Sequence, residues 1–231
     1  KVDKLTNLIS IFQNKLLDFS KNRADGDDLL GDAYEFLMRK FATASGKDKG
    51  QFYTPSEVST IIAKVIGAGN LERKDQSVYD PTAGSGSLLL KVAHETPKGI
   101  TIYGQENDVA TKAMAMMNMW IHNNVDADIR QGNTIANPLF KENSALKTFD
   151  LVVSNPPFSF KKWTNGIDPN HDEFGRFDGY GIPPMKNGDY AFLLHVLKSL
   201  KSTGKGAIIL PHGVLFRGNI ESKIRKNIIN R

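Results

Sequence analysis

The sequence predicts an α/β fold, a mostly parallel sheet with helices on both faces, preceded by a short helical segment. Three observations predict it. From Ser77 onward, short apolar runs alternate with helical patterns, as expected when each parallel strand needs a crossover helix to reach the next. A glycine turn, Gly84-Ser85-Gly86, joins the first of these runs to the first of these helices. Finally, 231 residues at 40% hydrophobic and 24% charged content suffice for one large core.

Along the chain, residues 1–46 are expected to form the helical segment. Leu5, Leu8, Ile9, Phe12, Leu16 and Phe19 fall at helical spacing, and Leu29, Leu30, Ala33, Phe36, Leu37 and Phe41 repeat the pattern. The small polar stretch 43–50 reads as a linker, and the main domain is assigned to 47–231. Pro55 opens a helix that sets Val58, Ile61, Ile62 and Val65 on one face. Strands are expected at 77–79, 100–103, 127–129, 151–153 and 207–210, with helices at 87–94, 108–123 and 189–200. Both ends of the chain fall inside helical patterns, so a piece of a longer protein is expected, stopping before the last strands of the sheet.

The chain has no cysteine, which excludes disulfides, thiolate zinc sites and a cysteine nucleophile. No metal site is predicted. No apolar run approaches the roughly 20 residues of a membrane span, and no signal peptide opens the chain; a soluble, cytoplasmic protein without membrane contact is expected. A formal charge of +5 suits a polyanionic partner such as nucleic acid but does not by itself define a reaction.

Ligands of parallel sheets bind at the carboxyl ends of the strands, and the notable motifs fall there. The first strand runs into Asp80-Pro81-Thr82-Ala83-Gly84-Ser85-Gly86-Ser87. A dinucleotide fingerprint would need a third glycine where Leu89 stands, and would place pyrophosphate at the helix start; NAD is therefore the second choice. S-adenosylmethionine carries an ammonium, a sulfonium and a ribose diol instead of phosphate, and Asp80 suits the cationic groups. At the second strand end Glu106 is positioned to accept from the ribose hydroxyls, with Asp108 as N-cap of the next helix. At the third, Asn133 either contacts adenine or merely shapes a turn.

The fourth strand ends in Asn155-Pro156-Pro157-Phe158. Pro157 holds Pro156 extended, and neither proline has an N–H. The Pro156 carbonyl and the Asn155 side-chain oxygen then offer two acceptors to one planar exocyclic amine. An aromatic amine is a poor nucleophile, and two acceptors aimed at its hydrogens favour its pyramidal, nucleophilic form. Phe158 would supply a stacking face for an extruded base. Beyond it, residues 159–188 show no periodicity. With Lys161, Lys162, Trp163, Phe174, Arg176, Phe177 and Tyr180, the stretch suits either a nucleic-acid-gripping lid or a plain surface loop.

The glycine loop, the Asn-Pro-Pro-Phe strand end and Gly50-Gln51-Phe52-Tyr53-Thr54-Pro55 together resemble the modification subunit of type I restriction-modification systems, over most of residues 30–231. The resemblance implies a Rossmann-like S-adenosylmethionine-dependent methyltransferase that methylates adenine N6 of a flipped-out base in double-stranded DNA. It implies catalytic roles for Asn155, Pro156, Pro157 and Phe158. It also implies cofactor contacts from Gln51, Phe52, Tyr53, Thr54, Pro55 and Ser56, beside Asp80, Thr82, Ala83, Gly84, Ser85, Gly86, Ser87, Glu106 and Asn133. At position 133 the family more often has an acidic residue. The implied partners are a specificity subunit, shared by two modification subunits, and a restriction subunit. The Asn-Pro-Pro geometry would also hold cytosine N4 or a protein glutamine, and a binding module without activity of its own is the reading from another class.

Overall fold

The computed structural model describes residues 54–231, together with Thr6, Asn7, Ser10, Phe36 and Leu37. The rest of the 1–46 helical segment, its boundary with the main domain, and Gln51, Phe52 and Tyr53 lie outside the described residues. In chain order the strands are β1 (Ser77–Asp80), β2 (Thr101–Glu106), β3 (Asp128–Gln131), β4 (Lys141–Glu142), β5 (Ala145–Leu146), β6 (Phe149–Ser154) and β7 (Leu200–Ile208). The helices are α1 (Ser56–Val65), α2 (Ser87–Glu95), α3 (Val109–Ile121), α4 (Asp189–Lys198) and α5 (Asn219–Ile229).

Five strands form one sheet in the order β3-β2-β1-β6-β7, every neighbouring pair parallel. Strands β4 and β5 make a separate antiparallel hairpin. Side chains alternate between the faces of a strand, and here both faces are apolar. Val78, Ile102, Leu151 and Val153 join the core beneath α1, α2 and α3. Their neighbours Tyr79, Phe149 and Val152 join an aromatic core on the other face, where the Tyr79 and Phe149 rings stack with centroids 4.5 Å apart. Burial on both faces is what a parallel sheet requires.

β2 and β6 run beyond the expected 100–103 and 151–153, the β4–β5 hairpin was not expected, and the two edge strands are displaced. β3 runs Asp128–Gln131, later than 127–129, because its last residues face solvent at the sheet edge and give no apolar signal. β7 begins at Leu200, where a helix end was expected, and its register with β6 shifts between Phe149 and Leu151. The Lys201-Ser202-Thr203-Gly204-Lys205-Gly206 stretch is polar because β7 is also an edge. A Cβ at Gly204 would stand only 2.8 Å from the Phe149 carbonyl and 3.0 Å from that of Lys201, so glycine is needed where the strand shifts.

The order reverses direction between β1 and β6: successive strands are added outward through β2 and β3, then on the far side through β6 and β7. Such a reversal opens a crevice above the carboxyl ends of the two central strands. Asp80 ends β1 and Ser154 ends β6, so the glycine loop and Asn155 face each other across it.

The stretch 159–188 is packed, not loose. Trp163, Phe174, Arg176 and Phe177 are buried, and Trp163 and Phe177 share a core with Tyr190, Leu194 and Ile224 of α4 and α5. The Trp163 indole donates to the Pro184 carbonyl at 2.9 Å. These aromatics therefore close a second core and are not available to stack bases, whereas Lys161 and Lys162 remain exposed.

Candidate active site

The site begins with the loop that leaves β1. Gly84 and Gly86 have φ of +55° and +79°, a left-handed backbone that L side chains rarely adopt. A Cβ at Gly86 would also lie 2.7 Å from Met119 Cε of α3. The loop is tied inward: Ala83 N–H donates to the Gln105 carbonyl and Gly86 N–H to that of Ala83. Asn118 Nδ2 of α3 donates to the Ser85 carbonyl at 2.9 Å. Ala83, Ser85, Gly86 and Ser87 are buried and do not line the cleft.

Two carboxylates hold this loop. Asp80 is buried, and its Oδ1 accepts from Thr82 N at 2.8 Å and Thr82 Oγ1 at 3.2 Å. Burial pushes its carboxyl up to about 7 against those hydrogen bonds, and the charge of Glu106 pushes the same way. Glu106, half-exposed at the end of β2, accepts from Gly84 N at 3.0 Å through one oxygen and from Asp108 N at 2.9 Å through the other. Asp108 caps α3, accepting from Thr111 N, as expected for an N-cap. Asn133 Oδ1 accepts from Ile135 N and Ala136 N, so the turn reading holds, and the residue also faces the cleft.

That cleft measures about 400 Å³ and is lined by Thr82 and Glu106 from the first two strand ends, Asn133 from the third, and Asn155 and Pro157 from β6. It brings together predicted residues from four separate strand ends. Sequence reasoning missed Phe160 and Phe192, which supply its aromatic wall, and Thr111 and Thr134, its neutral hydroxyls. Their signal was absent because Phe160 lies in the stretch without periodicity and Phe192 belongs to a helix more than 30 residues on. Phe158 is 50% exposed and stands outside the wall.

Thr54, expected at the cofactor, contacts the reactive motif. Its Oγ1 accepts from Asn155 Nδ2 at 3.1 Å across 101 residues of sequence, which holds one end of the amide. Pro55 is the N-cap of α1 and Ser56 its first residue. Thr82 Oγ1 and Ser154 Oγ lie 2.8 Å apart, a direct bridge between the glycine loop and the strand that presents Asn155.

The profile of the N-6 DNA methylase family matches residues 25–231. The chain is 35% identical, over its whole length, to the type I restriction enzyme MpnII methylase subunit of Mycoplasma pneumoniae, of which it covers 44%. It is 32% identical to the HindI methylase subunit of Haemophilus influenzae, covering 99% of this chain and 52% of that one. Among solved structures, the type I restriction-modification methyltransferase subunit of Streptococcus thermophilus superposes with a TM-score of 0.74 at 36% identity, covering 90% of this chain and 44% of that one. The chain thus spans about half the length of the relatives it matches.

Proposed function

The chain belongs to the N-6 DNA methylase family, and from that premise we propose that it forms the methyl-transfer site of a type I modification enzyme acting on adenine N6 in double-stranded DNA. The observation that carries the reading is the meeting of Asn155 with a carboxylate-walled cleft at the point where the sheet order reverses. Recognition of the target sequence is assigned to a separate specificity subunit, and cleavage to a restriction subunit, as in the systems the chain resembles.

The loop chemistry supports S-adenosylmethionine over a dinucleotide. The N–H groups of Thr82, Ala83, Gly84 and Gly86 already donate within the protein, two of them to the carboxylates of Asp80 and Glu106. A pyrophosphate would meet these spent donors and the Glu106 carboxylate on the cleft wall, whereas a cationic ligand gains from that carboxylate, and from Asp80 behind it once that group ionises. Glu106 keeps lone pairs for two ribose hydroxyls beyond the backbone N–H groups it holds. When bound, S-adenosylmethionine supplies an electrophilic methyl group on its sulfonium. Asn155 Oδ1 and the Pro156 carbonyl then accept from the two N–H groups of the adenine amine and favour its nucleophilic form. As the nitrogen gains positive charge, both hydrogen bonds strengthen, which is transition-state stabilisation without a strong base. Phe158, outside the cleft wall, is the surface on which the extruded base stacks.

The direct test is transfer of radiolabelled methyl by the assembled modification enzyme to DNA, followed by digestion to nucleosides. N6-methyladenine is expected. Label in N4-methylcytosine would replace the adenine reading by the cytosine one, and no transfer at all would leave a binding module.

Two further outcomes follow from the geometry. Thr54→Val keeps the shape but removes the acceptor that holds Asn155 Nδ2. Losing one neutral hydrogen bond is worth roughly 0.5–1.5 kcal/mol, so turnover should fall about 2- to 12-fold while cofactor affinity holds. Steady-state kinetics against calorimetry separates the two, and unchanged turnover would show that Thr54 does not orient the amide.

The Asp80 carboxyl, raised to about 7 by burial, must ionise to attract a cation. Cofactor affinity should therefore rise with pH, by about tenfold between pH 5.5 and 7. In the ligand-free protein the sign is opposite. Between its ordinary value near 4 and about 7 the folded state keeps a proton that the unfolded chain has released. Asp80 thus contributes stability that is full below about pH 4 and lost as pH rises through about 7. Calorimetry across this range, repeated with Asp80→Asn, should find the slope in the first protein and not in the second. A flat profile in both would remove Asp80 from the cofactor site.

A further inference from the structure

The chain turns sharply just after the reactive motif. Ser159 has φ +52°, a left-handed conformation unfavourable for a residue with a Cβ. What holds it there is a buried carboxylate 30 residues away: Ser159 N–H donates to Asp189 Oδ1 at 2.6 Å. Asp189 is the first residue of α4 and 1% exposed. Its own N–H is capped by Asn187 Oδ1. Its other oxygen accepts from Arg217 at 2.8 Å, and Arg217 also donates to Glu221 of α5 at 3.1 Å. The next residue in the strap, Phe160, is pinned as well, its carbonyl accepting from Gly188 N–H at 3.0 Å. A Cβ at Gly188 would stand 2.8 Å from Trp163 Cβ and 3.1 Å from the Phe160 carbonyl, so the strap lies tight against the start of α4.

The consequence falls on two aromatics that flank the bend. Phe158 precedes Ser159 and is half-exposed; Phe160 follows it and walls the cleft beside Asn155 and Pro157. Their relative orientation depends on one left-handed residue, and that residue depends on one carboxylate. A buried carboxylate with a formal charge is costly unless paired. Arg217 provides the pairing, so the charge at Asp189 is retained where a neutral residue would fill the space more cheaply. A carboxylate in the first turn also favours the start of α4, but that role requires neither its burial nor its bond to Ser159.

We propose that Asp189 is a positioning residue of the methyl-transfer site, fixing the Phe158–Phe160 strap through the Ser159 N–H so that the aromatic pair receives the target base in reacting geometry. The proposal rests on the methyl-transfer reading above. Asp189 touches neither cofactor nor base; its action passes through the strap. Because Arg217 bridges Asp189 to α5, the seating of that helix is built into the same chain of contacts.

Two variants made in the assembled modification enzyme test it. Asp189→Asn keeps the volume and removes the charge. Ser159→Pro removes the N–H and forbids the positive φ without disturbing the Asp189–Arg217 pair. Both should leave S-adenosylmethionine affinity within about 2-fold of wild type and lower kcat at least 10-fold, and the double variant should be no worse than the worse single one. Hydrogen exchange should find the Ser159 amide protected in the wild type and less protected in Asp189→Asn, whose single side-chain oxygen must serve both the Ser159 N–H and Arg217. Should Asp189→Asn fail to fold, Ser159→Pro decides by the same split between kcat and cofactor affinity. Retained kcat in Ser159→Pro, or a fall in which cofactor affinity drops equally, would overturn the proposal and leave Asp189 as a structural ion-pair member. A wild-type enzyme that methylates no base would instead defeat the functional reading and the positioning role with it, whatever the exchange at Ser159 shows.

Discussion

Asn155→Ala should lower methyl transfer to adenine by about 10²–10³ while leaving S-adenosylmethionine affinity nearly unchanged. The size follows from what is removed. The proposed mechanism uses no strong base, so the two acceptors on the amine carry the catalytic step, and the alanine deletes one of them. Deleting a preorganised donor or acceptor aimed at developing charge costs roughly 2.7–4 kcal/mol in the barrier, against roughly 0.5–1.5 kcal/mol for an ordinary hydrogen bond. The loss should be confined to turnover because the glycine loop joins this strand through Thr82 and Ser154, a bridge that the alanine leaves intact. The glycine loop is tied by Asp80, Glu106, Gln105 and Asn118, and these bonds are made by groups other than the Asn155 amide. Thr54, left without its donor, can turn its hydroxyl elsewhere. The measurement is single-turnover transfer with labelled cofactor, alongside calorimetric affinity. Near-normal turnover would reduce Asn155 to a strand-end turn residue and refute the two-acceptor mechanism.

The expected effect could be stated from sequence because Asn155 follows a short apolar run, and a strand end in a parallel sheet is a defined place. The same held for the placement of Asp80 and Glu106, which end their strands, and of the Asp108 cap just beyond β2. Local periodicity and turn chemistry encode such positions. Contacts that cross long stretches of chain are not encoded in this way. Thr54 is a cofactor contact only by the family resemblance, and its bond to Asn155 is one that nothing local to either residue signals. Edge strands β3 and β7 were displaced for a related reason, since half their residues face solvent and break the apolar run. The stretch 159–188 was the least legible. Its order comes from single anchors, Trp163 to Pro184 and Ser159 to Asp189, and from aromatics buried in a core shared with α4 and α5. Lysines and aromatics in such a stretch signal nucleic-acid contact only if the aromatics are exposed, and burial, which composition does not report, decides that.

A further anchor of this stretch, the buried Arg176–Asp172 pair, makes the second large prediction. Arg176→Met should destabilise the folded protein by about 3–5 kcal/mol, the usual cost of removing one partner from a buried ion pair. Arg176 is 1% exposed and pairs with Asp172, whose side chain is 4% exposed. Its Nε lies 3.0 Å from Asp172 Oδ1, its backbone N–H donates to Oδ2 at 2.6 Å, and its guanidinium also reaches the Thr134 carbonyl. The guanidinium packs 5.5 Å from the Phe174 ring centroid and 5.7 Å from that of Phe177, and it faces His195 Nδ1, whose other nitrogen lies 3.4 Å from the Tyr79 hydroxyl. Burial, and then the charge of Arg176, hold His195 well below its ordinary pKa, so the histidine stays neutral and cannot replace the lost cation without paying its own desolvation. Methionine fills much of the volume but leaves the Asp172 carboxylate buried without its partner. Arg176→Met with Asp172→Leu should recover most of the loss, because exchanging a whole buried pair for apolar residues is often near neutral. Denaturant midpoints of the two variants decide it. A loss below about 1 kcal/mol in the single variant, the level of an exposed pair, would mean that water reaches Asp172 and that the 159–188 segment is not closed over the strand ends in solution.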